Sequence, residues 1–141
     1  MPSTVLEVAS RGPGLTEITE PVAGALSGLG AEDGLLTLFA RHTSCSLLIQ
    51  ENADPDVRRD LEVFFQKLVP QGDDPSMSWL RHVSEGPDDM PAHIKAALTA
   101  TSLSVPVAGG RMTLGGWQGV YLFEHRAAPR RRMIVVHYLA G

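Results

Sequence analysis

The sequence has a single cysteine and no long apolar run. With Cys45 alone among 141 residues, the chain has no intrachain disulfide and no zinc site built from several cysteines. No apolar stretch approaches the roughly 18 residues that a membrane span needs. The N-terminus also lacks a basic segment followed by an apolar run. We therefore expect a soluble, cytoplasmic protein with no membrane partner.

An excess of basic charge is also missing, since the formal net charge is −4 and the pI is about 5.7. Binding to a phosphate backbone needs a basic face, so the composition argues against nucleic acid as the main partner. One basic cluster, Arg126 with Arg130–Arg132, has enough charge for a few phosphates. Hydrophobic residues at 43% and charged residues at 20% are typical of a globular chain, and we assign residues 1–141 to one domain.

One helix is marked clearly in the sequence. Asp54 can cap the first amides of a helix, and Pro55 suits the first helical position because its missing N–H costs nothing there. Pro70 and Gly72 end it. The apolar residues between them recur at helical spacing and form one stripe: Val57, Leu61, Phe64, Phe65 and Leu68.

Two further helices are expected, a weak one at residues 19–29 and another from about Asp88–Pro91 to Thr99. We place Met90, Ile94, Ala97 and Leu98 on the core face of the latter. The expected strands are Val5–Ala9, Leu35–Arg41, Ser46–Glu51, Leu103–Val107, Val120–Glu124 and Met133–Leu139, with an arginine-rich loop before the last. Leu35–Arg41 is continuously apolar, which favours a strand buried on both faces. Because strands pair around helices rather than alternate with them, the pattern predicts an α+β fold.

Four of the five histidines lie at predicted element ends or in loops, where binding and catalytic residues concentrate. His82, His93 and His125 come from three separate segments and would match the ligand set of an open zinc site. Isolated histidines without a short ligand spacing are equally typical of side chains that bind no metal. His137, inside the last strand, is expected to be structural.

Asp89 and His93 are spaced four residues apart and share one face of the predicted helix. A carboxylate on one imidazole nitrogen raises the basicity of the other, as a general base or a metal ligand requires. The alternative is that Asp89 is simply a negative charge in the first turn, stabilised by the helix dipole.

Two more segments carry polar side chains suited to a ligand. Glu51 and Asn52 close a strand just before a helix N-terminus, which is a favourable place for an anionic group. Trp117 and Gln118 follow two glycines, so that the backbone can approach a ligand while the indole stacks on a planar ring. A hairpin turn with a packed tryptophan is the alternative for the second segment.

These polar segments together resemble the YjbQ family. The resemblance covers nearly the whole chain and is carried by His42-Thr43-Ser44, residues 51–61 (ENADPDVRRDL), residues 85–95 (EGPDDMPAHIK), residues 117–121 (WQGVY) and Glu124-His125-Arg126. It implies an α+β fold in which a mainly antiparallel sheet or sandwich packs with two or three helices, assembled as a homotrimer. Some members of that family are described as weak secondary thiamine-phosphate synthases, which join a pyrimidine diphosphate to a thiazole phosphate.

The resemblance also implies a set of site residues. The catalytic candidates are His42, Glu51, Asp89, His93 and Glu124, the substrate-binding candidates are Asn52, Trp117, Gln118 and Arg126, and the metal-ligand candidates are His82, His93 and His125. Our leading hypothesis is an enzyme acting on a small phosphorylated or heteroaromatic substrate, with a zinc or magnesium ion as the expected cofactor. A metal-dependent hydrolase with a three-histidine site and a non-enzymatic metabolite-binding protein are the alternatives.

Overall fold

The computed structural model of the chain describes residues 2–141 and contains strands in two sheets with helices packed around them. Over these residues, no helix is long and apolar enough to cross a membrane. The strands are β1 Ser3–Ser10, β2 Gly14–Glu17, β3 Gly34–Ala40, β4 Cys45–Glu51, β5 Ser102–Ala108, β6 Arg111–Met112, β7 Gln118–Glu124 and β8 Arg130–Ala140. The α-helices are α1 Thr19–Gly28, α2 Pro55–Leu68 and α3 Asp89–Leu98.

The two sheets are antiparallel throughout, in the orders β1-β8-β3-β5-β6 and β2-β7-β4. The predicted α+β class is confirmed, and every predicted helix and strand is present. The two-residue turn Gly109-Gly110 joins β5 to β6 with positive φ at both glycines, as a tight hairpin requires. Three short elements were missed, namely β2, β6 and a 3-10 helix at Pro75–Met77, because two to four residues carry too little periodicity.

The main core lies between the sheets. Leu36 and Val136 of the large sheet and Leu47, Val120 and Leu122 of the small sheet are fully buried in one cluster. The opposite face of the small sheet is covered by α2. There, Leu61 and Phe65 pack on a second cluster made of Leu15, Tyr121 and Phe123. The small sheet is thus covered on both faces.

The prediction that β3 is buried on both faces is wrong within this chain. Leu36, Leu38 and Ala40 are buried, whereas Leu35 and Phe39, on the alternate positions, are 37% and 46% exposed. Successive side chains of a strand point to opposite faces of its sheet. Since no layer formed by residues 2–141 covers the outer face of the large sheet, Leu35 and Phe39 remain partly in solvent.

Two further predictions are wrong: the core face of α3 and the arginine-rich loop before β8. Leu98 is 58% exposed, while the buried residues of the helix are Asp89, Pro91, Ala92, Lys95 and Ala96. The helix contacts β4, and its buried side carries Ala92 and Ala96 rather than the larger apolar side chains. Arg130–Arg132 lie within β8 because that strand begins three residues earlier than predicted.

A buried ion pair joins the two sheets. Arg132 of β8 donates from Nε to Oε1 of Glu124 in β7 at 2.7 Å and from Nη2 to Oε2. Ser10 of β1 adds a hydrogen bond to Oε1 at 2.6 Å, and Arg132 also donates to the Ser44 hydroxyl at 2.9 Å. Burial alone would raise the pKa of Glu124, but the hydrogen bonds from Arg132 and Ser10 outweigh it, and the pKa lies below its ordinary value of 4.5.

Replacing Glu124 by Gln should lower the free energy of unfolding by about 3–5 kcal/mol, because it leaves the Arg132 charge buried without a counterion. Glu7→Gln is the matched control, since Glu7 of β1 faces Arg131 of β8 at 3.9 Å in solvent and should contribute less than about 1 kcal/mol. Urea unfolding at pH 7 measures both. In the wild type, the stabilisation from Glu124 is present above pH 4.5 and is lost as the pH falls through its lower folded pKa. Equal losses in the two variants would contradict the role of the pair.

Candidate functional site

Three side chains with metal-ligating atoms converge beside α3. Asp89 and His93 lie one helical turn apart on α3, and His82 belongs to the loop that precedes it. Asp89 Oδ2 is 2.8 Å from His82 Nε2 and 3.4 Å from His93 Nε2. All three ligand atoms lie within 4.8 Å of one another. The carboxylate is almost fully buried, whereas the side chains of His82 and His93 are 48% and 32% exposed, so the cluster opens to solvent on the histidine side.

The other oxygen of Asp89 is held by Arg126, from the loop between β7 and β8. Arg126 donates from Nη1 to Asp89 Oδ1 and from Nε to Asp88 Oδ2, each at 2.8 Å, and from Nη2 to the Glu85 carbonyl at 3.3 Å. The amide of Ala127 also donates to Asp88, at 2.9 Å. Hydrogen bonding to Asp88 raises the pKa of Arg126, so the guanidinium stays charged. Its contacts fix the Asp89 carboxylate with Oδ2 turned towards the two imidazoles.

The orientation of His93 is set by a backbone carbonyl. Nδ1 of His93 lies 3.0 Å from the Thr43 oxygen, and because a carbonyl only accepts, Nδ1 carries the proton. In the neutral ring, Nε2 is then a lone pair that faces a carboxylate oxygen. Two acceptors at 3.4 Å repel each other unless a proton or a cation lies between them. Ligands about 2.1 Å from a tetrahedral zinc ion are about 3.4 Å apart, so this spacing suits a metal.

Glu85 also reaches the cluster, with Oε2 2.8 Å from His82 Nε2. Glu85 begins one of the segments that carry the family resemblance, but it was not predicted to be a site residue. Its spacing of three residues from His82 was the available signal, but in a loop such spacing does not fix which side chains meet. Its carboxylate is exposed at the open side of the cluster.

An apolar cavity of about 320 Å³ adjoins the cluster on the side of His82. It is lined by Gly72, Asp73, Leu80, His82, Val83, Gly86, Pro87, Met90 and Pro91. A volume in this range with two polar side chains, Asp73 and His82, in an otherwise apolar lining suits a small ring system. The loop between α2 and α3 supplies most of this lining.

His125 is not part of the metal-ligating cluster. The ring is buried, Nε2 lies 2.9 Å from the Ser46 hydroxyl, and Nδ1 has no hydrogen-bond partner among residues 2–141. Burial, followed by the charge of Lys95, lowers the pKa of His125 to about 3. The predicted site of His82, His93 and His125 is therefore not formed within one chain. His125, the first residue after β7, points into the interior, whereas the next residue, Arg126, points towards α3. Asp89 occupies the third position instead.

Two catalytic candidates already have structural partners. His42 Nε2 accepts a hydrogen bond from the amide of Met133 at 2.8 Å, and burial together with nearby Arg132 lowers the pKa of His42. Glu124 accepts from Arg132, Ser10 and the amides of residues 125 and 126. In this chain both side chains hold neighbouring segments in place rather than face the open cluster.

The remaining candidates lie at the other end of the small sheet. Glu51 pairs with Gln118 where β4 ends and β7 begins. The side-chain amide of Asn52 donates to Glu17 at 2.9 Å rather than to a residue of α3. Trp117 beside them is 67% exposed. Gln118 and Glu124 lie six positions apart on β7, which is about 20 Å of strand. Glu51, predicted to be catalytic, and the predicted substrate-binding residues Asn52, Trp117 and Gln118 therefore do not lie next to Asp89 within one chain.

The comparisons with known proteins agree on one family. The model of the UPF0047 protein YjbQ-like family matches residues 4–141. A UPF0047 protein of Synechocystis sp. is 48% identical over 133 residues, 94% of this chain and 88% of that protein. YjbQ of Salmonella typhimurium is 46% identical over 84% of this chain and 83% of its own length. A conserved hypothetical protein from Thermus thermophilus superposes with a TM-score of 0.83 at 40% identity, covering 96% of this chain and 99% of that one.

The buried His125 predicts a pH dependence of stability near neutrality. Lys95 of α3 and Arg132 of β8 face it and disfavour its protonation, whereas Glu124 of β7 favours it. Because the folded pKa of about 3 lies below the ordinary 6.5, stability is complete above pH 6.5 and is lost as the pH falls. Between pH 6.5 and 5, the loss should be about 2 kcal/mol.

Urea unfolding over this pH range measures the effect. His125→Asn should flatten the profile, while His137→Asn, which changes the histidine of β8, should leave it unchanged. The same slope in His125→Asn as in the wild type would show that His125 does not cause it.

Proposed function

This chain belongs to the UPF0047 YjbQ-like family, and we propose that it is an enzyme for a small phosphorylated molecule that uses a divalent cation bound by His82, Asp89 and His93. The observation that carries the proposal is the orientation of His93. Its Nδ1 proton is committed to the Thr43 carbonyl, so that its Nε2 lone pair and Asp89 Oδ2 point at a common position. A cation at that position would turn a repulsive contact into two ligand bonds.

The ligand set favours zinc over magnesium. Two imidazole nitrogens and one carboxylate oxygen are donors that zinc and similar transition metals prefer, whereas magnesium is bound mainly by oxygens. Arg126 holds Oδ1 of Asp89 and leaves Oδ2 as a single-oxygen ligand. A divalent ion there supplies positive charge to a phosphate oxygen of the substrate.

The state of the arginines supports a cation rather than a guanidinium as the phosphate partner. Arg126 is engaged by Asp88 and Asp89, and Arg132 by Glu124. In the thiamine-phosphate synthesis that the family resemblance implies, pyrophosphate leaves the pyrimidine and a thiazole nitrogen attacks the carbon left behind. The departing charge needs a cation, and the apolar cavity beside His82 offers space for a heteroaromatic ring.

Hydrolysis of a phosphate ester is the second candidate, and the position of Glu85 favours it. Its exposed carboxylate lies next to His82 at the open side of the cluster, where it can take a proton from water. Synthesis and hydrolysis share the same cation and differ in the nucleophile that the site admits.

Asp89→Asn should weaken zinc binding by at least about tenfold, because a neutral amide is a poorer ligand than a carboxylate. Protein stripped with a chelator is titrated with zinc by calorimetry, beside Asp60→Asn, in which an exposed carboxylate of α2 is changed. Equal affinity in both variants, or no zinc binding by the wild type, would contradict the metal site.

The same proteins are then incubated with hydroxymethylpyrimidine diphosphate and thiazole phosphate, with and without zinc or magnesium. Thiamine phosphate formed by the wild type and Asp60→Asn but not by Asp89→Asn is the expected result. Release of phosphate without condensation would assign hydrolysis. Absence of both products, with intact zinc binding, would favour a metabolite-binding protein over an enzyme.

We also propose that the chain assembles as a homotrimer through the bare face of the large sheet. Phe39, Val5 and Val135 meet in one row across three strands, and Leu35 lies opposite Leu139 in another. Such a contiguous apolar surface is typical of an interface. Sedimentation equilibrium should give three times the chain mass for the wild type and a smaller species for Phe39→Asp. A monomeric wild type would refute the assembly.

A further inference from the structure

A second pocket, lined mainly by polar side chains, lies on the face of α3 away from the cluster of His82, Asp89 and His93. Its volume is about 270 Å³, and it is lined by Pro13, Gln66, Val69, Gln71, Asp88, Lys95, His125 and Ala127. Asp88 and Lys95 are seven residues apart and share one helical face, whereas His93 is two residues from Lys95 and points elsewhere. The pocket is therefore separate from the Asp89 cluster, although one helix borders both.

Lys95 is a buried cation without a counterion in this pocket. Only 9% of the residue is exposed, and its amine makes no hydrogen bond or ion pair with any residue from 2 to 141. A buried ammonium without a partner is costly, whereas an anion bound beside it would offset that cost.

His125 contributes a second unsatisfied group. Its Nδ1 is buried and has no partner within the described chain. The buried hydroxyl of Ser46 has His125 Nε2 as its hydrogen-bond partner, at 2.9 Å, and is satisfied when it donates there. The proton of the neutral ring then sits on Nδ1 as an unused donor, buried in a ring that lines the pocket. Buried polar groups left unpaired in a folded protein indicate a missing partner.

We propose that this pocket binds a small oxyanion, a carboxylate or phosphate group, between the Lys95 ammonium and the Nδ1–H of His125. The negative charge of Asp88 at its border is already balanced by Arg126 at 2.8 Å and by the Ala127 amide. Gln66 and Gln71 supply further amide donors in the lining. The oxyanion would accept one hydrogen bond from the Lys95 ammonium and one from the His125 Nδ1–H, two donors that have no partner within residues 2–141. This site needs no metal and does not depend on the proposed function.

The test exploits the lysine content of the chain, which is Lys67 and Lys95 alone. Wild-type protein is titrated with orthophosphate and, separately, with acetate, in the presence of a chelator and at constant ionic strength. Lysine side-chain and histidine ring signals are followed by NMR. We expect saturable shifts for Lys95 and His125, and none for Lys67, which is exposed near the end of α2. The anion that saturates at lower concentration identifies the preferred group.

Lys95→Met should weaken binding at least about tenfold, because it removes a charged hydrogen-bond donor. Lys67→Met loses the same charge outside the pocket and should bind as the wild type does. His82→Asn should also retain binding, which separates this site from the metal-ligating cluster. Absence of saturable shifts at Lys95 in the wild type overturns the proposal, as does equal binding in Lys95→Met. If Lys95→Met does not fold, the wild-type titration with Lys67 as internal reference decides.

Discussion

The buried ion pair of Glu124 and Arg132 connects the core to the candidate site. It joins the two sheets through β7 and β8, and Ser10 extends the network to β1. The second oxygen of Glu124 accepts the amides of His125 and Arg126, each at 3.1 Å. Those bonds fix the start of the loop from which Arg126 reaches Asp88 and Asp89. The position of the site carboxylate thus depends on an interaction between the two sheets, which explains why a family candidate for catalysis is found fully buried.

The structure also explains which parts could be predicted from the sequence. The start of helix α2 was predicted to the residue because Asp54 and Pro55 act locally, and the Asp54 side chain does accept a hydrogen bond from the Asp56 amide at 2.9 Å. The Asp89–His93 pair was predictable because helical periodicity alone places these side chains together. His125 was misplaced in the zinc set because it follows a strand, and only the tertiary contacts of Ser46 and Glu124 decide which way it turns. Lys95 was missed because a lysine in a helix is ordinarily solvated.

The two ends of the small sheet present different polar groups, which a linear motif list does not reveal. Glu51 and Gln118 lie at one end of the β4–β7 pair, and Cys45 pairs with Glu124 at the other. The outer face of the large sheet and part of α2, where Phe64 and Leu68 are more than half exposed, remain uncovered in the single chain. Residues that share a motif in the sequence therefore serve different surfaces of the folded chain.

The partner that orients His93 is a main-chain carbonyl, and this has a consequence for how the site can change by mutation. No side-chain substitution at position 43 removes the Thr43 oxygen, so the ring orientation tolerates sequence drift there. Asp89, in contrast, is held by the Arg126 side chain, which one codon change eliminates. The orientation of His93 is therefore insensitive to point mutation at position 43, whereas the orientation of Asp89 is lost when Arg126 is replaced. Divergence of the proposed metal site among descendants of this chain should therefore begin on the Arg126 side, while the imidazole keeps its direction as long as the backbone between β3 and β4 keeps its path.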